Sequence, residues 1–149
     1  MKAGPEERAE LRLSGETPGS GDGRILRTRT YDILVDGRRV GTCELRPDTG
    51  WAARLAGQAA YTVFPHERGR HYALAALRLL ETEASALGMG RLYITCRPEN
   101  AASRRTLELA GAGLEAIEAV PPEHPLIRSG VREICVYVLN LPGNDPGSC

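Results

Sequence analysis

Apolar residues recur at three- and four-residue steps from Ala73 through Ala76, Leu77, Leu80 and Ala84 to Leu87, and Gly88 stands where such a helix stops. No other stretch restricts the fold as tightly. Leading into it are an apolar run at residues 59–64, Pro65, and then Arg68-Gly69-Arg70-His71-Tyr72-Ala73. This pattern predicts a strand halted by proline, a glycine-bearing turn, and a long helix lying back on the sheet.

The remaining elements fall around that unit. Residues 9–13 alternate weakly and predict a first strand, whereas residues 14–23, rich in Gly, Ser, Pro and Thr, predict a loop. Residues 28–35 and 39–45 predict two strands joined by a tight turn at Asp36-Gly37. Residues 47–57 predict a loop and residues 91–96 a short buried strand. Asn100 is placed to cap a helix over residues 101–110, which Gly111 closes. Strands are expected at residues 114–120 and 132–141, with a proline-bearing loop between them and a loose tail over residues 142–149. The expected fold is α/β of the α+β kind, with a mixed, mostly antiparallel central sheet and two main helices.

Composition narrows the function. A chain of 149 residues suits one domain, expected over residues 1–141. A formal net charge of zero argues against nucleic acid or an anionic membrane as the main partner. No apolar run approaches the roughly 20 residues of a membrane span, and residues 1–10 carry no apolar leader, so a cytoplasmic protein is expected. Cys43, Cys96, Cys135 and Cys149 are spaced too widely for a zinc pattern. Three of them sit in strand-like runs, which reads as buried reduced thiols; no metal is expected.

The turn at residues 68–73 has chemistry of its own. A helix N-terminus leaves about four backbone N–H groups without partners, and the helix dipole adds positive potential there. A phosphate is held at such a place by backbone. Gly69 permits close approach, and Arg68 and Arg70 add charge that does not titrate. The same string also suits a plain basic first turn.

Tyr61-Thr62-Val63-Phe64-Pro65 followed by Arg68-Gly69-Arg70-His71-Tyr72-Ala73 resembles the acetyl-CoA motif of the GCN5-related N-acetyltransferase (GNAT) superfamily. Ile94-Thr95-Cys96-Arg97-Pro98-Glu99-Asn100, then Ser103-Arg104 and Gly111-Ala112, is similar to the family's later strand and helix, in the Ser103 form of the subgroup resembling ribosomal-protein N-terminal acetyltransferases. The match covers residues 59–120.

The resemblance implies acetyl-CoA as co-substrate and direct transfer of its acetyl group to an amine, a small molecule or a peptide N-terminus. Tyr61, Thr62 and Val63 would offer backbone groups to the pantetheine arm, and a backbone N–H near Val63 would polarise the thioester. Arg68, Gly69, Arg70, His71, Tyr72 and Ala73 would wrap the pyrophosphate. Asn100 and Ser103 would face the pantetheine, and Arg104 either reaches phosphate or lies on a solvated helix face. Asn100 is also a plain N-cap, and both roles can hold at once.

Several positions depart from the family pattern. His71 replaces a usual glycine. Leu107 occupies the place of the tyrosine that often protonates the leaving thiolate, which leaves Ser103 or water for that task. Thr62 stands where an acidic base is often found, so Glu44, Glu67, His66 and His124 are the remaining candidates. The helical region that normally walls the acceptor site is shortened to a loop, so Trp51, the loop at residues 121–130 or a second subunit of a homodimer would complete the wall. Trp51 also reads as a loop aromatic packed on the core edge. Two alternatives stay open: a catalytically inactive CoA-binding sensor or assembly module, and a small α/β domain that binds another phosphate compound or none.

Overall fold

Hairpin chemistry builds the first half of the chain. β2 (Thr28–Val35) and β3 (Arg38–Leu45) pair antiparallel across Asp36 and Gly37, whose φ angles of 51° and 78° are what a tight turn matched to strand twist requires. β1 (Ala9–Thr17), entered through a single helical turn α1 (Pro5–Arg8), pairs with β2, and β4 (Ala59–Val63) pairs with β3. The computed structural model describes residues 4–20, 26–49, 51–122 and 125–141; His124 and the tail at residues 142–149 lie outside them.

Two sequence expectations are corrected here. β1 does not end near residue 13 but continues to Thr17, with a register shift after Leu13. The Ser14 hydroxyl donates to the Thr30 carbonyl at 3.1 Å, and Glu16 receives Arg27 and Arg29. Pairing along β2 overrides a turn-like composition. Residues 47–57 contain a helix, α2 (Trp51–Ala56), held by tertiary contacts too weakly periodic to read. Leu55 and Ala53 are buried, and Arg54 bridges to Glu115 and Glu118 at 2.6 and 2.5 Å. Gly57, at φ 82°, ends the helix with its N–H on the Ala53 carbonyl. The Trp51 side chain lies outside the described atoms.

The second half follows the predicted order: α3 (Tyr72–Ala86), β5 (Arg91–Cys96), α4 (Ala101–Leu109), β6 (Gly113–Ala119), a 3-10 turn at Pro125–Ser129, and β7 (Glu133–Asn140). Ala76, Leu77, Leu80 and Ala84 of α3 are fully buried and join Ile33, Val35 and Val40 in the main core. Removing each such leucine from water contributes about 1.5–3 kcal/mol. Antiparallel pairing prevails throughout, but the sheet is split into two ladders, ordered β1-β2-β3-β4 and β5-β7-β6. Where β4 faces β5 the two separate. Among the described residues, no helix is long and apolar enough to cross a membrane.

Candidate functional site

Gln58 joins the two ladders at one end. Its N–H donates to the Tyr93 carbonyl at 2.6 Å, and its side-chain oxygen accepts the Tyr93 N–H at 2.8 Å. Its side-chain nitrogen reaches the Asp48 carbonyl at 2.9 Å, so a residue only 2% exposed is satisfied on both ends. Beyond it the strands diverge around a cavity of about 340 Å³ lined by Arg46, Ala59, Tyr61, Cys96, Asn100 and Ser103, among others.

The β4 backbone faces this opening. Phe64 N–H donates to the Val40 carbonyl and Arg46 N–H to the Gln58 carbonyl, which fixes 40/64 and 46/58 as hydrogen-bonded pairs of the β3–β4 ladder. Antiparallel pairs alternate, so residues 60 and 62 also face β3, whereas the backbone groups of Ala59, Tyr61 and Val63 point away from it. Thr62 therefore has its backbone in the ladder and its side chain exposed. The Val63 carbonyl accepts Arg68 Nε at 3.0 Å.

The loop after β4 presents backbone donors. Gly69 has φ 85° and His71, the residue that caps α3, has φ 62°. A left-handed His is uncommon, and this conformation explains why a glycine would suit the position. Among the described residues, the N–H groups of Gly69, Arg70, His71, Tyr72, Ala73 and Leu74 have no acceptor, and α3 lacks a side-chain cap. The arginines hold the loop in shape. Arg68 is on the Val63 carbonyl, and Arg70 is on Glu67 at 3.3 Å. Glu67 is only 6% exposed and receives Arg38 through two 3.0 Å bonds, which hold its carboxyl below the usual range. Tyr72 buries its ring, leaving its amide toward the loop.

α4 completes the opposite wall. The Asn100 side-chain oxygen accepts the Ser103 N–H at 3.1 Å, the expected cap. The Ser103 hydroxyl lies 3.4 Å from the Tyr61 hydroxyl and within reach of the Cys96 thiol. Burial raises the Tyr61 phenol above its ordinary value and pushes the Cys96 thiol up to about 11. Arg104 does not lie on a free helix face: it donates to the Tyr137 hydroxyl at 2.9 Å and the Pro98 carbonyl at 3.3 Å. Leu107 is fully buried.

The candidate bases differ sharply in situation. Glu67 is committed to Arg38. His66 is exposed and stacks on Phe64. Glu44 lies across from Ala60 and pairs with Arg46 at 2.7 Å, and both of these neighbours line the cavity. Gln58 and the hydroxyl of Tyr61 escaped sequence reasoning, which assigned Tyr61 a backbone role alone. A polar residue at the mouth of an apolar strand was the available signal for Gln58.

A family model described as Acetyltransferase (GNAT) domain matches residues 8–112. Among solved structures, Mycobacterium smegmatis RimJ in complex with CoA-disulfide is 26% identical, with a TM-score of 0.62, covering 79% of this chain and 56% of that one. RimL, the ribosomal L7/L12 alpha-N-protein acetyltransferase in complex with coenzyme A, is 17% identical, with a TM-score of 0.61, covering 76% of this chain and 62% of that one. The microcin C7 self immunity acetyltransferase MccE, in complex with acetyl-CoA and AMP, is 18% identical, with a TM-score of 0.60 and coverages of 76% and 61%. The last two likenesses concern the fold. The chain spans less than two thirds of the length of these proteins. No curated protein sequence matches it.

Proposed function

We propose, from the premise that this chain belongs to the acetyltransferase (GNAT) domain family, that it transfers the acetyl group of acetyl-CoA directly to an amine. The observation that carries this reading is the run of unpaired amides at Gly69, Arg70, His71, Tyr72, Ala73 and Leu74, set beside the free edge of β4. Those amides suit a pyrophosphate. The outward N–H and C=O of Tyr61 and the N–H of Val63 suit an extended arm that pairs like an added strand. Asn100 and Ser103 line the cavity where that arm would end. Acetyl-CoA supplies the activated thioester; in this reading the outward Val63 N–H stabilises charge on its carbonyl oxygen, an effect of about 3 kcal/mol where such donors have been removed.

The acceptor we favour is a peptide N-terminus, because the 26%-identical structure is of RimJ and RimL, a similar fold, is named as a ribosomal-protein alpha-N-acetyltransferase. Action in the cytoplasm accompanies that reading. A homodimer that completes the acceptor wall is compatible with it, and size measurement in solution decides that point. The test has two parts. Saturating CoA must raise thermal stability, by about 2.7 kcal/mol at a hundred times Kd. Acetyl-CoA must then turn over, seen by thiol release, against peptides and small amines.

A CoA-binding module without catalysis is the second reading. The burial of Leu107, which removes the usual acid position from the cleft, favours it. CoA binding with silence across a broad amine panel would select it.

A further inference from the structure

Tyr61, Ser103 and Cys96 come from β4, α4 and β5 and line the same cavity. The Ser103 backbone is held by Asn100, so only its side-chain torsion is free. The hydroxyl carries one hydrogen and two acceptor sites. The Tyr61 phenol keeps its proton at neutral pH, because burial opposes its ionisation. Among the described residues its hydroxyl has one polar partner, the Ser103 hydroxyl at 3.4 Å. That spacing is longer than a mature hydroxyl pair, and catalytic hydrogen bonds of this kind tighten when charge develops in the transition state.

We infer that Tyr61 is a positioning residue: it donates to the Ser103 oxygen and so turns the Ser103 hydrogen toward the sulfur of departing coenzyme A. The inference rests on the acetyl-transfer reading above. The competing acceptor is the Cys96 thiol, and a protonated thiol is a weak one. In the transfer, the amine nitrogen forms the new C–N bond and the C–S bond breaks with its electron pair on sulfur. The extra proton on nitrogen passes to a base or to water, and sulfur finally takes a proton from water. Ser103 supplies a hydrogen bond to the developing thiolate rather than the proton itself. A proton would have to climb from a phenol of about 10 to a thiol of about 8.5, and burial widens that gap. The arrangement occupies the gap left by Leu107, using a tyrosine from the strand instead of the helix.

The decisive measurement is the acidity of the thiol of bound CoA, followed by thiolate ultraviolet absorbance on the full chain. The other charged and titratable groups facing the cavity or Cys96 are held constant in this comparison: Arg46 just after β3, Arg97 after β5, Arg104 from α4, and Cys96 itself. In the wild type the bound thiol ionises at lower pH than free CoA. Tyr61→Phe, which removes one oxygen and keeps the ring, weakens that acidity by about five- to tenfold, and Ser103→Ala does the same. The double variant is no weaker than either single one. In turnover, Tyr61→Phe lowers kcat by a similar factor and leaves KM for acetyl-CoA unchanged. Unchanged thiol acidity in Tyr61→Phe overturns the inference, as does an equal effect on KM and kcat or additivity in the double variant. Bound CoA without turnover defeats the acetyl-transfer reading alone, since the thiol titration still decides this one. No CoA binding by the wild type overturns both.

Discussion

Arg38 grips Glu67 with both arms of its guanidinium, each carboxylate oxygen 3.0 Å from a nitrogen, and thereby ties the β2–β3 hairpin to the loop that opens α3. The bond holds the Glu67 carboxyl below its usual value of 4.5, Arg38 being the largest cause. A lowered acid contributes stability that is full above the unfolded value and is lost as pH falls through the folded one. Melting at neutral pH and near pH 4 checks this: wild type loses more stability on acidification than Glu67→Gln, and Glu67→Gln binds CoA severalfold more weakly at neutral pH.

His71 sits at φ 62° without a side-chain cap bond, so its side chain opposes the conformation that its amide requires. His71→Gly is expected to raise stability by about 1 kcal/mol and to keep CoA affinity. His71→Val moves stability in the opposite direction, because a β-branched residue tolerates this region least. Urea unfolding with CoA titration measures both.

Gln58 satisfies Tyr93 and Asp48 while buried. Gln58→Leu keeps the bulk and leaves each partner unmet, at about 1–3 kcal/mol apiece. The expected signature is a lower urea midpoint together with weaker CoA binding, since the same residue sets where the strands begin to part.

Leu107 is fully enclosed in the core. Leu107→Tyr therefore gives no new acid in the cleft; it overfills the core by about 1–3 kcal/mol and leaves turnover per folded molecule unchanged. A higher kcat in that variant would contradict the placement.

Glu44 pairs with Arg46 and lies across from Ala60, two residues that line the cavity. Glu44→Gln is expected to lower kcat about 100-fold while CoA binding stays intact, if the amine gives its proton to this group. Normal turnover in Glu44→Gln removes Glu44 from that role.

The elements that announce themselves locally were readable: α3 from its apolar period, Asn100 from its capping chemistry, the Asp36-Gly37 turn from its residue types. β1 beyond Leu13 and α2 were not, because a ladder to β2 and the bridges from Arg54 to Glu115 and Glu118 stabilise them from a distance. The site divided in the same way. A loop of glycine and arginine is visible in a string of letters, although the arginines turn out to brace the loop. Residues 61 and 103 stand 42 apart in sequence, and no local pattern ties one hydroxyl to the other.

The free edge of β4 makes the sheet unfinished by its own chain. The N–H and C=O of Ala59 and Tyr61 and the N–H of Val63 remain on the cleft side, the Val63 C=O being taken by Arg68, while their neighbours are locked into β3. A ligand that pairs there acts as a missing piece of secondary structure, so its grip is blind to side-chain identity along the strand and sensitive to whatever bends it. Amide hydrogen exchange at Tyr61 and Val63 would slow on binding while that of Thr62 stayed as it was, a footprint two residues in period. Gly41, whose added Cβ would fall 2.2 Å from the Thr62 carbonyl, is where that edge can be moved without touching any ligand: a side chain there must push β4 away from β3.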